Sequence, residues 1–208
     1  MNVEVWSDVA CPWCYIGKRR LEAALELFED SGDVQVTWRS FELDPEAAPE
    51  LGGDLAQHLA DKYGTSRAEA QSRFDDMTEL AAKDGLGLRF DLTRRGNTFD
   101  AHRLIHLGAH RGIQDTVKER FMRAYHSEGE LIGNHEVLQR LAVEAGLNAG
   151  EVAEVLAGDR YADEVRDDEG VARSLGINGV PFFVVDRKYG ASGAQPAEAL
   201  VELLRQAR

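Results

Sequence analysis

The chain has 208 residues, with 24 basic against 37 acidic side chains and a formal net charge of −13. The length fits one sizeable domain, or a domain carrying a large insertion, that buries a core without disulfide staples. An apolar fraction of 43% with 29% charged residues describes a globular chain. So acidic a balance argues against nucleic-acid phosphates and against anionic membrane surfaces, both of which require clustered Lys and Arg.

Residues 2–7 alternate in polarity from the start and read as a strand. They include neither a basic stretch nor a long apolar one, so no signal peptide is expected, and the expected compartment is a reducing cytoplasm. Tyr15, Ile16, Leu21, Ala24, Leu25 and Phe28 then recur at helical spacing over residues 12–29, with Gly32 as the expected left-handed cap. Val34 to Arg39 alternate again and are β-branched and aromatic, which predicts a second strand. Strand, helix and strand in this order predict a parallel βαβ unit.

From about residue 45 to 160 the pattern is helical. Ser66 with Glu69 forms a capping box that opens a helix over 67–83. Ile113, Val117, Phe121, Met122 and Tyr125 make an apolar stripe further on. Val137, Leu138, Leu141, Ala142 and Ala145 make another after the capping residue Asn134, and Asn148 with Glu151 marks a further helix start. A helix over 161–175, ending at Gly176, leads into two short strands, Phe182 to Val185 and Tyr189 to Ala194. Pro196 is expected at the first position of a closing helix. The predicted architecture is α/β: residues 1–44 and 161–208 form one domain, interrupted by an all-helical insertion over 45–160. No apolar run approaches membrane-spanning length.

The only cysteines are Cys11 and Cys14, too few for a disulfide framework. Cys11-Pro12-Trp13-Cys14 lies where the first strand ends and the first helix begins. Residues i and i+3 at a helix start face the same side, close enough for their sulfurs to bond. Pro12 suits the first turn, where its missing N–H would lack a partner. Cys11 lies at the positive end of the helix dipole, which favours thiolate over thiol. Cys14, one turn in, is shielded and suited to resolving a mixed disulfide. Lys18, Arg19 and Arg20 add to the positive field and Asp8 opposes it, and spacing leaves the balance open. A purely structural disulfide over so short a loop contributes only about 2 kcal/mol, and a reducing compartment would not keep it. Half of a zinc site would need two more ligands, and no second cysteine pair exists.

Ser7-Asp8-Val9-Ala10-Cys11-Pro12-Trp13-Cys14-Tyr15-Ile16-Gly17, together with Gly179-Val180-Pro181-Phe182-Phe183, resembles the DsbA family of thioredoxin-fold oxidoreductases. Within it, Phe41 to Pro45 and Asn97 to Leu104 are similar to the FrnE-like branch, a group linked by name to polyketide biosynthesis and to dithiol–disulfide isomerases. The resemblance spans essentially the whole chain and implies a thioredoxin-like domain with a large helical insertion. It implies that Cys11 is the nucleophile, Cys14 the resolving thiol, and Pro181 a cis-proline beside them. The dipeptide between the cysteines is Pro-Trp, where the strongly oxidising periplasmic members carry Pro-His, so a strongly oxidising potential is not expected.

The resulting expectation is a thiol–disulfide oxidoreductase or isomerase acting on a disulfide-containing protein, peptide or small molecule. Pro12, Trp13, Val180, Pro181, Phe41, Asn97, Phe99 and His102 are the candidate substrate-binding residues, with Phe182 able to line the same apolar cleft. No metal and no nucleotide cofactor is expected, and glutathione is a candidate thiol co-substrate. Two other readings remain. One is a glutathione-dependent isomerase or transferase resembling 2-hydroxychromene-2-carboxylate isomerase and the kappa-class transferases, which carry Ser at the nucleophile position. The other is a non-catalytic binding module or chaperone. His102, His106 and His110, at i, i+4 and i+8, are expected on a solvated helix face rather than around a metal, with His102 also a candidate to face the cleft over Cys11. The acidic run 164–169 is expected to be solvated.

Overall fold

The computed structural model describes residues 1–208. Four strands form one sheet in the order β2-β1-β3-β4: β1 (Asn2–Ser7), β2 (Gln35–Ser40), β3 (Phe182–Val185) and β4 (Tyr189–Ser192). β1 pairs parallel with β2, and β3 runs antiparallel to both β1 and β4. Helix α1 (Pro12–Leu27) joins the parallel pair, as the βαβ reading requires. Five of the six residues of β1 are buried, because this central strand is covered on both faces.

The two-residue period sorts the core. Val3, Val5, Phe183 and Val185 pack with Leu21, Ala24 and Phe28 of α1 and with Leu200, Val201 and Leu204 of α9 (Ala197–Gln206). Trp6 and Val184 point to the other face, against Ala172 of α8 (Ala162–Ser174) and Ile177. That face also carries an ionic network. Glu4 accepts from Arg39 and Arg187, and Arg39 reaches Asp168. Asp168 also accepts from the Ser40 N–H. Asp168 is therefore buried, and the acidic run is not uniformly solvated as expected.

Between β2 and α8 lie α2 (Leu55–Tyr63), α3 (Arg67–Lys83), α4 (Phe99–His110), α5 (Gln114–Arg123), α6 (His135–Glu144) and α7 (Ala149–Ala157). Ser66 and Glu69 close the capping box in both directions, and Asn134 and Asn148 cap α6 and α7. One π-helical turn, Ala124–Glu128, prolongs α5. The largest apolar cluster, 26 buried residues, is built mainly from these helices but includes Val9, Cys11, Cys14, Tyr15 and Ile16. The cysteine pair thus lies where the helical core meets the start of α1.

Several sequence expectations shift. α1 stops at Leu27, and Gly32 sits in a short 3₁₀ turn, Ser31–Asp33, instead of capping the helix in the left-handed region. β4 ends at Ser192, because Gly193 leaves the strand with φ +80°. Pro196 is the N-cap of α9 with extended ψ 151°, one position earlier than expected. Of the α4 histidines, His110 is exposed as expected, but His102 and His106 are not on a solvated face. α4 is surrounded by α5, α6, α7 and α8, so only its end is open. His102 is buried, His106 binds Ser40 Oγ and Asp168, and the His110 ring lies tilted against Tyr161, with centroids 5.1 Å apart.

Candidate active site

Cys11 is the N-cap of α1, in extended conformation at φ −89° and ψ 112°, and Pro12 occupies the first helical turn. The Cys14 and Tyr15 amides both turn back to the Cys11 carbonyl, at 3.0 and 3.3 Å. Both thiols are free. Cys11 is 4% exposed and Cys14 not at all, whereas Trp13 between them is 41% exposed. Both sulfurs are therefore buried, Cys14 completely, and Trp13 is the part of the motif that reaches solvent.

The second wall is the loop before β3. The Val180–Pro181 peptide bond is cis. The Cys11 thiol donates to the Val180 carbonyl at 3.6 Å, and Gly193 N–H holds the Pro181 carbonyl at 2.8 Å. Gly17, one turn beyond Cys14, permits the close approach: a Cβ there would lie 2.9 Å from Pro181 Cγ and 3.4 Å from Phe183 Cζ. Phe41, Val180 and Phe182 are half-buried and pack on one apolar cluster with Trp6 and Ile177. Four of the expected site elements, Cys11, Cys14, Val180 and Pro181, are thus brought together.

Other expected residues stand elsewhere. Asn97 binds the 45–48 segment through its N–H to the Ala48 carbonyl, and its Oδ1 accepts from the Phe99 N–H at 2.8 Å, which starts α4. Phe99 lies under the Arg166 guanidinium at 4.3 Å. His102 does not face the cleft over Cys11. It is 1% exposed and its Nε2 lies 3.3 Å from Asp8 Oδ1.

The loop from Ser7 to Ala10 is held from three sides. Asp8 accepts from the Leu43 N–H at 2.8 Å and the Ala10 N–H at 3.3 Å. Burial works to raise its carboxyl, but His102, Leu43 and Thr98 outweigh this and hold it below the usual carboxylate range. Burial also pushes His102 down. His126, in the π-turn, is pushed down to about 4 by burial, so its neutral ring donates to the Val9 carbonyl at 2.9 Å. Lys118 of α5 donates to the Ser7 carbonyl at 3.3 Å.

The three basic residues expected to add to the positive field, Lys18, Arg19 and Arg20, are all paired with carboxylates. Lys18 is buried among Glu22, Asp115 and Glu119, Arg19 pairs with Glu22 and Glu119, and Arg20 pairs with Asp84. These charges are answered locally. Lys118 is 0% exposed and forms no ion pair. Burial pushes Lys118 down to about 8 and the Cys14 thiol well up, with Lys118 acting on Cys14 in the opposite sense. Lys118 is the site residue that sequence reading missed. Its position beside Val117, four residues before Met122 and seven before Tyr125, put a lysine on an apolar face, and that was the available signal.

A family model described as a DSBA-like thioredoxin domain matches residues 2–205. A solved structure from Streptomyces coelicolor, described as a probable DsbA oxidoreductase, is 48% identical with TM-score 0.95, over 100% of this chain and 89% of that one. The cytosolic disulfide reductase DsbM from Pseudomonas aeruginosa, solved with GSH, is 18% identical with TM-score 0.69, over 99% of this chain and 100% of that one. A 2-hydroxychromene-2-carboxylate isomerase structure is 16% identical with TM-score 0.69, over 99% and 95% respectively. At identities this low the last two likenesses speak to the fold alone.

Proposed function

The chain belongs to the DSBA-like thioredoxin-domain family, and from that premise we propose that it is a thiol–disulfide oxidoreductase working through Cys11 and Cys14. The carrying observation is the asymmetry of the pair. Cys11 caps the helix beside the Val180 carbonyl and the cis-Pro181 loop, while Cys14 is fully buried one turn behind it. The Cys11 thiolate attacks a substrate disulfide and forms a mixed disulfide, releasing one substrate thiol. The Cys14 thiolate then attacks Cys11 Sγ, the bond to substrate breaks, and the second thiol leaves. Two electrons pass from the cysteine pair to the substrate, and the two thiol protons end on the two released thiols.

The substrate class is a disulfide-bearing protein, peptide or small molecule, docked across Trp13, Val180 and Pro181 with Phe41 and Phe182 as apolar flank. Glutathione is the candidate thiol that regenerates the pair, a reading supported by the fold likeness to DsbM, which was solved with GSH. The proposed setting is a reducing cytoplasm, and no helix is long and apolar enough to cross a membrane. Residues 1–44 with 161–208 make the thioredoxin-like domain, and 45–160 the helical insertion.

The test is reduction of a protein disulfide such as insulin by glutathione, with and without the enzyme. C11S is expected to abolish the enzymatic rate, and C14S to accumulate a mixed disulfide visible by mass spectrometry. Full activity in C11S would refute the proposal.

A further inference from the structure

We propose that Lys118, carried by the helical insertion, is the charge that makes the Cys14 thiolate accessible during resolution of the mixed disulfide. The inference rests on the oxidoreductase reading above and adds to it a residue from outside the thioredoxin-like half.

In the second step Cys14 loses its proton and its Sγ attacks Cys11 Sγ. That proton ends on the departing substrate thiol, and the negative charge exists for a time on Cys14. Cys14 lies in the same apolar cluster as Val117, Phe121 and Met122 of α5, the residues around Lys118. A thiolate in such surroundings is costly unless an opposite charge is near. With Cys11 bonded to substrate and uncharged, the Asp8 main chain and Lys118 favour the Cys14 thiolate, and Lys118 lies against the same Trp38 ring as Lys18, one turn beyond Cys14 on α1.

Lys118 is free to respond because nothing else claims it. Its Nζ makes one hydrogen bond, to the Ser7 carbonyl at 3.3 Å, and lies 5.4 Å from the centre of the Trp38 ring. Lys18 approaches the same ring, at 5.9 Å, but is paired with three carboxylates. The charges that act on Lys118 are Cys14 and Lys18 from α1, Asp8 from the loop after β1, and Asp115 from α5 itself. His102 of α4 also feels the Lys118 charge. Asp8 is engaged by His102 and two backbone amides, and Asp115 by Lys18 and the Trp38 indole. A fully buried ammonium that lacks a carboxylate partner holds its proton weakly, in keeping with a value near 8. A thiolate forming nearby would favour the charged lysine.

The test is single turnover of the reduced full-length protein with dithiobis(nitrobenzoate), whose coloured thiol is released first by Cys11 attack and then by Cys14 resolution. Both phases are recorded from neutral to alkaline pH, with melting curves for each variant. K118M is expected to keep the first phase and slow the second about tenfold at neutral pH, with its alkaline limb moved to higher pH; tenfold corresponds to one pKa unit in the thiolate. K118R, charged at every pH reached, is expected to keep the second phase near wild type. An unmoved second phase in K118M, or equal slowing of both phases, would overturn the inference and leave the oxidoreductase reading intact. Absence of the first phase in wild type would overturn both. Should K118M fail to fold, K118R decides: a second phase near wild type supports the assignment, and a tenfold loss with the first phase intact overturns it.

Discussion

Replacing Gly17 by alanine sets two effects of known sign against each other. Within a helix the change gains about 1 kcal/mol, because glycine surrenders more backbone entropy on folding. At Gly17 the new methyl would lie 2.9 Å from Pro181 Cγ and 3.4 Å from Pro181 Cβ and Phe183 Cζ. None of these neighbours is a flexible chain end: one is a proline ring and the other a buried aromatic of β3. Overpacking of that kind costs about 1–3 kcal/mol. The net expectation for G17A is therefore a loss of up to about 2 kcal/mol, measured by urea denaturation. Relief of the clash moves Pro181 and Val180 away from Cys11, whose thiol now lies 3.6 Å from the Val180 carbonyl. A shift of a few tenths of an ångström at reacting groups predicts a fall in kcat/KM of about tenfold. The control is G170A in α8, where the added carbon meets only the tip of Arg173 at 3.8 Å. It is expected to stabilise by about 0.5–1 kcal/mol with activity unchanged. Stabilisation of G17A to the same extent as G170A would refute the reasoning.

Two further expectations follow from buried charge. Burial pushes the Glu42 carboxyl up to about 7 from 4.5, against the opposing effect of Arg166. The fold then binds a proton that the unfolded chain releases, so stability falls as pH rises from about 4.5 to about 7 and is level above that. E42Q, which keeps an oxygen for Arg166, is expected to lose this slope and to exceed wild type by about 1 kcal/mol above the window. A stability difference that does not change across those pH values would contradict the assignment. Arg103 is buried in α4, and its guanidinium serves the carbonyls of Val155, Gly158 and Arg160 as well as Asp100. Lysine cannot reproduce that fork, and each carbonyl left unpaired costs about 1–3 kcal/mol. R103K is expected to lower the melting temperature by several degrees, and an unchanged melt would show that water replaces the lost bonds.

The accuracy of the sequence reading follows the range of the interaction. The Ser66 capping box and the Asn134 and Asn148 caps depend on hydrogen bonds within three residues, so the local sequence carries them whole. β1 and α1 are legible for the same reason, since alternation and helical spacing report burial along one element. Burial imposed by elements distant in sequence leaves no such local signature. His102 and Asp168 are polar residues on segments read as solvated, yet each is enclosed by elements distant in sequence: His102 meets Asp8, and Asp168 meets Ser40 and Arg39. Asn97 and Phe99 belong to the family-like segment, but they secure the start of α4.

By itself the sequence determined that the chain carries one cysteine pair at a strand–helix junction, within a βαβ unit followed by a long helical stretch and a second mixed segment. It did so because i, i+3 spacing, capping and hydrophobic period are properties of contiguous residues. Only the tertiary structure decided that Gly17 admits the Pro181 loop to the cysteines, that Lys18 is answered by three carboxylates, and that Lys118 is buried against the end of β1 with no carboxylate partner. Those outcomes depend on which side chains 100 or more residues apart exclude water from one another, as Lys118 and Ser7 do across 111 positions. Desolvation and ion pairing act through space, and no local pattern encodes them.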